Sequence, residues 1–81
     1  MPDLHADQVL DAKGLLCPLP VIKAASLIRK MPEGAILEVL ATDEGVKVDF
    51  PAWCRSTGND YLGTTDEGKI YHTLLRRRPR P

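Results

Sequence analysis

The chain has 81 residues, enough for one domain and too few for two. Its two cysteines, Cys17 and Cys54, lack the dense spacing of a disulfide-stapled secreted scaffold. Eleven basic and eleven acidic residues cancel, and no apolar run approaches the roughly 20 residues a membrane-spanning helix needs.

Residues 1–8 are polar, with Asp3 and Asp7, and read as an N-terminal extension. They lack the basic and apolar regions of a secretory leader, so the expected setting is the cytoplasm. Cysteines in that reducing compartment stay thiols and can do chemistry. Residues 9–12 read as a short first strand, which Gly14 breaks. Over residues 18–31, Val21, Ala24, Ala25, Ile28 and Met31 recur at steps of three and four, the spacing of one apolar helix stripe. Pro18 suits the first helical position and Pro20 is tolerable within the first turn, while Pro32 and Gly34 stop the helix.

Residues 35–41 form a short apolar run interrupted by Glu38, read as a largely buried strand with Leu37 and Val39 on one side and Ile36 and Leu40 on the other. Thr42 or Asp43 can cap a second helix over residues 44–57, and Asp11 and Asp49 suit turn and cap roles. Val46, Phe50, Trp53 and Cys54 can share one face of that helix. Pro51 is expected to split it into two pieces meeting near Asp49, and Gly58 to end it. Residues 60–65 and 70–75 flank a glycine-containing loop, a β-hairpin signal.

The order β-α-β-α-β-β in so short a chain implies an α+β, two-layer α/β sandwich: a four-stranded mixed sheet with both helices on one face. Its other face would be partly open, suited to docking. The domain is expected over residues 9–76, with a basic tail over residues 77–81. Arg76, Arg77, Arg78 and Arg80 crowd the C-terminus, leaving seven basic and eleven acidic residues up to Leu75, a net of minus four. Such a tail can contact nucleic acid or an acidic partner. The plainer expectation is a frayed, solvated end, since Pro79 and Pro81 oppose regular structure.

Chemistry points to Cys17. It stands just before the helix that Pro18 opens, where unpaired N–H groups and the helix dipole favour a thiolate or a persulfide anion. Pro18 and Pro20 remove two donors there but stiffen the turn. The alternative is a buried cysteine acting as a small hydrophobe, which Leu15 and Leu16 would suit. On these features alone both readings stand.

The segment Asp11-Ala12-Lys13-Gly14-Leu15-Leu16-Cys17-Pro18-Leu19-Pro20 resembles the opening motif of the TusA family of sulfur carriers, also called SirA-like. That motif is an aspartate, a glycine three residues on, and Cys-Pro-x-Pro heading the first helix. Asp49-Phe50-Pro51-Ala52-Trp53-Cys54, with Gly58 following, resembles the second-helix segment of the same family. The resemblance runs over residues 9–75 and implies the same β-α-β-α-β-β sandwich. It also implies a sulfurtransferase whose Cys17 takes sulfane sulfur from a donor protein, a cysteine desulfurase or rhodanese, and passes it to an acceptor protein. In different members the route ends in thiolated tRNA, molybdenum cofactor or sulfur oxidation. Cys17 is the catalytic residue so implied, with Asp11, Gly14, Pro18 and Pro20 in support. Many members have histidine after the glycine where this chain has Asn59, which bears on local packing or partner choice.

Cys54 can be a second sulfur site or resolving thiol, but a packed helix cysteine beside a core Trp53 is expected. Cys17, Cys54, His5 and His72 lack the paired spacing of zinc ligands, and no glycine-rich nucleotide loop links a strand to a helix. Neither metal nor cofactor is expected, and the two histidines are expected to face solvent. A monomer without membrane or direct nucleic-acid contact is expected. The competing class is a non-catalytic protein- or RNA-binding regulatory module, against which the intact Cys-Pro-Leu-Pro argues.

Overall fold

The computed structural model describes residues 5–78. The element order is β1 (Gln8–Ala12), α1 (Leu19–Ile28), β2 (Ile36–Ala41), α2 (Val46–Thr57), β3 (Asp60–Glu67) and β4 (Ile70–Arg76). The strands form one sheet in the order β1-β2-β4-β3. β1 runs parallel to β2, while β4 is antiparallel to both β2 and β3. A parallel pair needs a crossover, which α1 supplies; an antiparallel pair needs only a tight turn, which Gly68 and Lys69 supply with Gly68 at φ 67°.

The two-residue period of β2 and β4 divides the layers. Leu37, Val39 and Ala41 alternate with less buried neighbours, as do Tyr71, Thr73 and Leu75. These buried side chains meet Ala24, Ile28 and Met31 from the α1 segment and Val46, Phe50 and Cys54 from α2. Both helices therefore cover one sheet face. The apolar stripes predicted for them are the ones buried, with Val21 and Trp53 packed at the margin.

Four features depart from the expectations above. α2 is continuous through Pro51. That proline lacks only the donor that would reach the Lys47 carbonyl, and the face shared by Val46, Phe50 and Cys54 is buried on both sides of it. α1 ends at Ile28 rather than Met31, because turns close tightly there: Lys30 N–H donates to the Leu27 carbonyl and Met31 N–H to that of Ile28. His72 does not lie free in solvent: on the open sheet face its Nδ1 is 2.7 Å from Glu38 Oε2 and its Nε2 is 3.2 Å from Glu67 Oε1. Exposed His5 matches its expectation.

The fourth is the start of the basic tail. Arg76 lies in β4 and pairs with Asp60. The Arg77 backbone continues the pairing, donating to the Ala35 carbonyl at 2.9 Å and accepting from Gly34 N–H at 2.8 Å. Its guanidinium donates to the carbonyls of Ile28, Arg29 and Met31 at 3.1, 2.5 and 3.0 Å. Helix C-termini leave such carbonyls without partners, so Arg77 caps α1. Arg78 N–H donates to Asn59 Oδ1, whose amide reaches Thr57. The frayed-end expectation thus fails for Arg76 to Arg78; Pro79, Arg80 and Pro81 lie outside the described residues.

Arg77→Ala should cost about 1–3 kcal/mol, since it strips donors from several carbonyls at once. Urea unfolding followed by circular dichroism measures it, with exposed Lys23→Ala expected within about 0.5 kcal/mol of the parent. An Arg77→Ala midpoint equal to that of Lys23→Ala would show that the cap contributes nothing.

Candidate functional site

The loop from β1 to α1 is held by short, local bonds. Asp11 Oδ1 accepts the Lys13 N–H at 3.0 Å, an Asx-type turn. Gly14, at φ 84°, donates its N–H to Thr42 Oγ1 at 3.0 Å and ties the loop to the segment leaving β2. Thr42 is occupied in this way rather than capping α2. Pro20 is buried beneath the first turn of α1 and anchors it. Of the predicted site residues, Asp11, Gly14 and Pro20 therefore shape the loop.

Cys17 is exposed, which sets aside its reading as a buried hydrophobe. α1 begins at Leu19 with Pro18 as its N-cap, and the Cys17–Pro18 peptide is cis. Cys17 thus lies one position further out than expected. The groups that bind it come from the β2–α2 connection and the first turn of α2. Its backbone N–H donates to Asp43 Oδ2 at 2.5 Å, while Asp43 Oδ1 accepts from Gly45 N–H at 3.1 Å. Its thiol donates to Asp49 Oδ2, in the first turn of α2. Gly45 makes room for it: a Cβ there would come within 3.1 Å of Cys17 Cβ and 3.4 Å of Sγ.

This geometry reverses the expected electrostatics. The hydrogen bond to Asp49, then desolvation and the charges of Asp49 and Asp43, push the Cys17 thiol up to about 11. A carboxylate that accepts from S–H favours the protonated form, and two nearby negative charges disfavour the thiolate further. Asp43 is held below its usual carboxylate range by the N–H groups of Cys17 and Gly45. In the free protein Cys17 therefore rests as a thiol clasped by a carboxylate.

Asp43 and Asp49 are the site residues that sequence reasoning missed. Asp49 was expected as a helix or turn cap, but α2 has Gly45 as its N-cap and no side-chain cap bond. Asp49 falls within the second segment that carried the resemblance, and its polar position beside apolar Phe50 was the available signal.

Cys54 is buried on α2, and desolvation followed by the charge of Asp60 pushes its thiol up to about 11. It packs as expected of a core cysteine. Trp53 meets Phe50 edge-on, with ring centroids 6.5 Å apart. Among the described residues, no group of three or more His, Cys, Asp or Glu is placed to hold a metal ion, and no helix is long and apolar enough to cross a membrane.

The fold matches the crystal structure of a SirA-like protein from Desulfitobacterium hafniense with a TM-score of 0.72, covering 89% of this chain and 99% of that one at 21% identity. In sequence, the chain is 42% identical over 71 residues to the sulfur carrier protein TusA of Allochromatium vinosum, covering 88% of this chain and 93% of that protein. It is 46% identical over 74 residues to YrkF of Bacillus subtilis (strain 168), where the match takes in 91% of this chain but 40% of that longer protein. A family model described as Sulfurtransferase TusA matches residues 8–77, spanning every strand and helix from β1 to β4, and the chain belongs to that family.

Proposed function

We propose that the protein is a sulfur carrier that accepts sulfane sulfur as a persulfide on Cys17 and hands it to an acceptor protein, acting as a sulfurtransferase. The observation that carries this reading is the pairing of an exposed, fixed Cys17 with a buried Cys54 in a TusA-family chain. A group carrier needs a nucleophile that can be reached, and thiol exchange depends on access as well as on thiolate fraction. In uptake, Cys17 sulfur bonds to the outer sulfur of a donor persulfide. The donor's S–S bond breaks, its cysteine sulfur leaves with the bonding pair, and the proton lost by Cys17 is regained by that leaving thiol. One thiol and one persulfide give one persulfide and one thiol, so no oxidant or reductant is consumed. Delivery repeats the exchange in the other direction, with Cys17 as the leaving sulfur.

The donor is a protein of the cysteine desulfurase or rhodanese kind, and the acceptor is a protein thiol in a sulfur-relay route. Tests begin with the native chain exposed to polysulfide, or to a desulfurase with cysteine, and weighed intact. A gain of one sulfur, about 32 Da, is expected, with full reversal by dithiothreitol as hydrogen sulfide leaves. A chain that stays at its starting mass under every donor would overturn the proposal.

A further inference from the structure

The clasp on Cys17 poses a question of activation. Both carboxylates that surround it are half-buried, and among the described residues neither takes part in an ion pair. The nearest lysine in sequence to Asp49, Lys47, instead lies over the Tyr71 ring, with its ammonium 4.9 Å from the centroid. Glu44 beside Asp43 adds a further exposed negative charge. The site is therefore a nucleophile in an acidic setting whose carboxylates are not paired with a cation among the described residues.

Apolar exposure is concentrated in the segments that carry this sulfur and Asp49. Of the five exposed large hydrophobic residues among the described residues, four belong to these segments: Leu16 at 72%, Leu19 at 45%, Ile22 at 56% and Val48 at 72%. Leu16 and Leu19 flank Cys17 and Pro18, Ile22 is three residues further along α1, and Val48 precedes Asp49. An apolar surface with a few polar groups at its centre is the composition of a protein-docking patch.

Building on Cys17 as the sulfur-bearing residue, we propose that this face docks a partner protein whose surface is apolar and carries a lysine or arginine that pairs with Asp49, and that this cation releases the Cys17 thiol for reaction. Once Asp49 is paired with the partner's cation, it no longer holds the S–H, the proton passes to water, and the uptake step proceeds with its atoms unchanged. The free carrier stays guarded and the docked one becomes reactive. Charge complementarity selects the occupant: a second copy of the chain would bring the same two carboxylates, which like-charge repulsion opposes. The raised thiol, at about 11, supports the guarded state of the free chain.

Small disulfides of different charge probe this directly, each forming a mixed disulfide on Cys17 and releasing one thiol. The rates for cystamine, bis(2-hydroxyethyl) disulfide and 3,3′-dithiodipropionate are read as adduct mass on the native chain. Each is divided by its rate with N-acetylcysteine amide, and Cys17→Ser serves as the blank. At low salt, cystamine should exceed the neutral disulfide by about tenfold and the dianion should trail it by a similar factor. Both ratios should shrink at 0.15 M salt, where the Debye length is about 8 Å. Asp49→Asn should narrow the spread and speed the neutral disulfide at pH 7. Equal normalised rates for all three would overturn the inference, as would a cation preference unchanged by Asp49→Asn. The two proposals fail separately: persulfide loading without charge preference defeats only the docking inference, and charge preference without loading defeats only the carrier role.

Discussion

A Cys17→Ser chain offered polysulfide or a desulfurase with cysteine is expected to keep its starting mass, while the native chain gains one sulfur. Serine has nearly the shape of cysteine and can still donate to Asp49, so the fold and its hydrogen bonds are retained and only the nucleophile is lost. The complementary Cys54→Ala chain should load as the native one does. Its cost should be confined to stability, on the order of 1 kcal/mol, because a small buried group is removed from α2. Intact mass and a urea midpoint on each variant separate the two roles. Full loading of Cys17→Ser, or a folded Cys54→Ala chain that cannot load, would reassign the sulfur-bearing residue.

The second large effect is one of pH. With the Cys17 thiol raised to about 11, about one molecule in ten thousand carries the thiolate at pH 7. Only the thiolate reacts with iodoacetamide, so alkylation of the free protein should accelerate about tenfold per pH unit. Between pH 7 and pH 10 the gain should be about a thousandfold, with a plateau only above the thiol's value. The sign follows from an acid whose neutral form is the favoured one: raising its value delays ionisation to higher pH. A reactive thiolate held by the α1 N-terminus would instead level off near or below neutrality. A rate that is flat from pH 7 upward would show that Asp49 does not hold the proton in solution.

Much of the architecture was legible because it depends on short-range periodicity. The stripe of Val21, Ala24 and Ile28 identifies α1 whatever lies beyond it, and the alternation about Leu37 and Val39 identifies β2. Gly68 marks the hairpin because a two-residue loop needs a residue that tolerates positive φ. Pro51 misled, since the break expected from its missing N–H is a local argument, whereas the buried faces of Val46, Phe50 and Cys54 act across several turns. Arg77 misled in the same way. A terminal arginine run has the composition of a solvated tail, and only the tertiary placement of the α1 C-terminus gives its guanidinium three carbonyls to bind.

The site divides along the same line. Cys17 was readable from its own neighbours, Pro18 and Pro20. Its electrostatics were not, because they are set by Asp43 and Asp49, 26 and 32 residues away in sequence. A local rule that a helix start favours an anion gave the wrong sign for the thiol. Two carboxylates, Asp43 from the β2–α2 connection and Asp49 from the first turn of α2, outweigh a helix end from which Pro18 and Pro20 remove donors. The same long-range contact makes the site responsive to a partner's charge, which no spacing within residues 11–20 could have indicated.

Sulfur carried on Cys17 can be located on the unaltered protein, without any substitution. The native chain is loaded with sulfane sulfur, blocked with iodoacetamide, digested between the two cysteines and sequenced by tandem mass spectrometry. The expected result is an additional sulfur beneath the alkyl group on the peptide bearing Cys17, with the Cys54 peptide free of it. An additional sulfur found only on the Cys54 peptide, or on neither, would contradict the assignment.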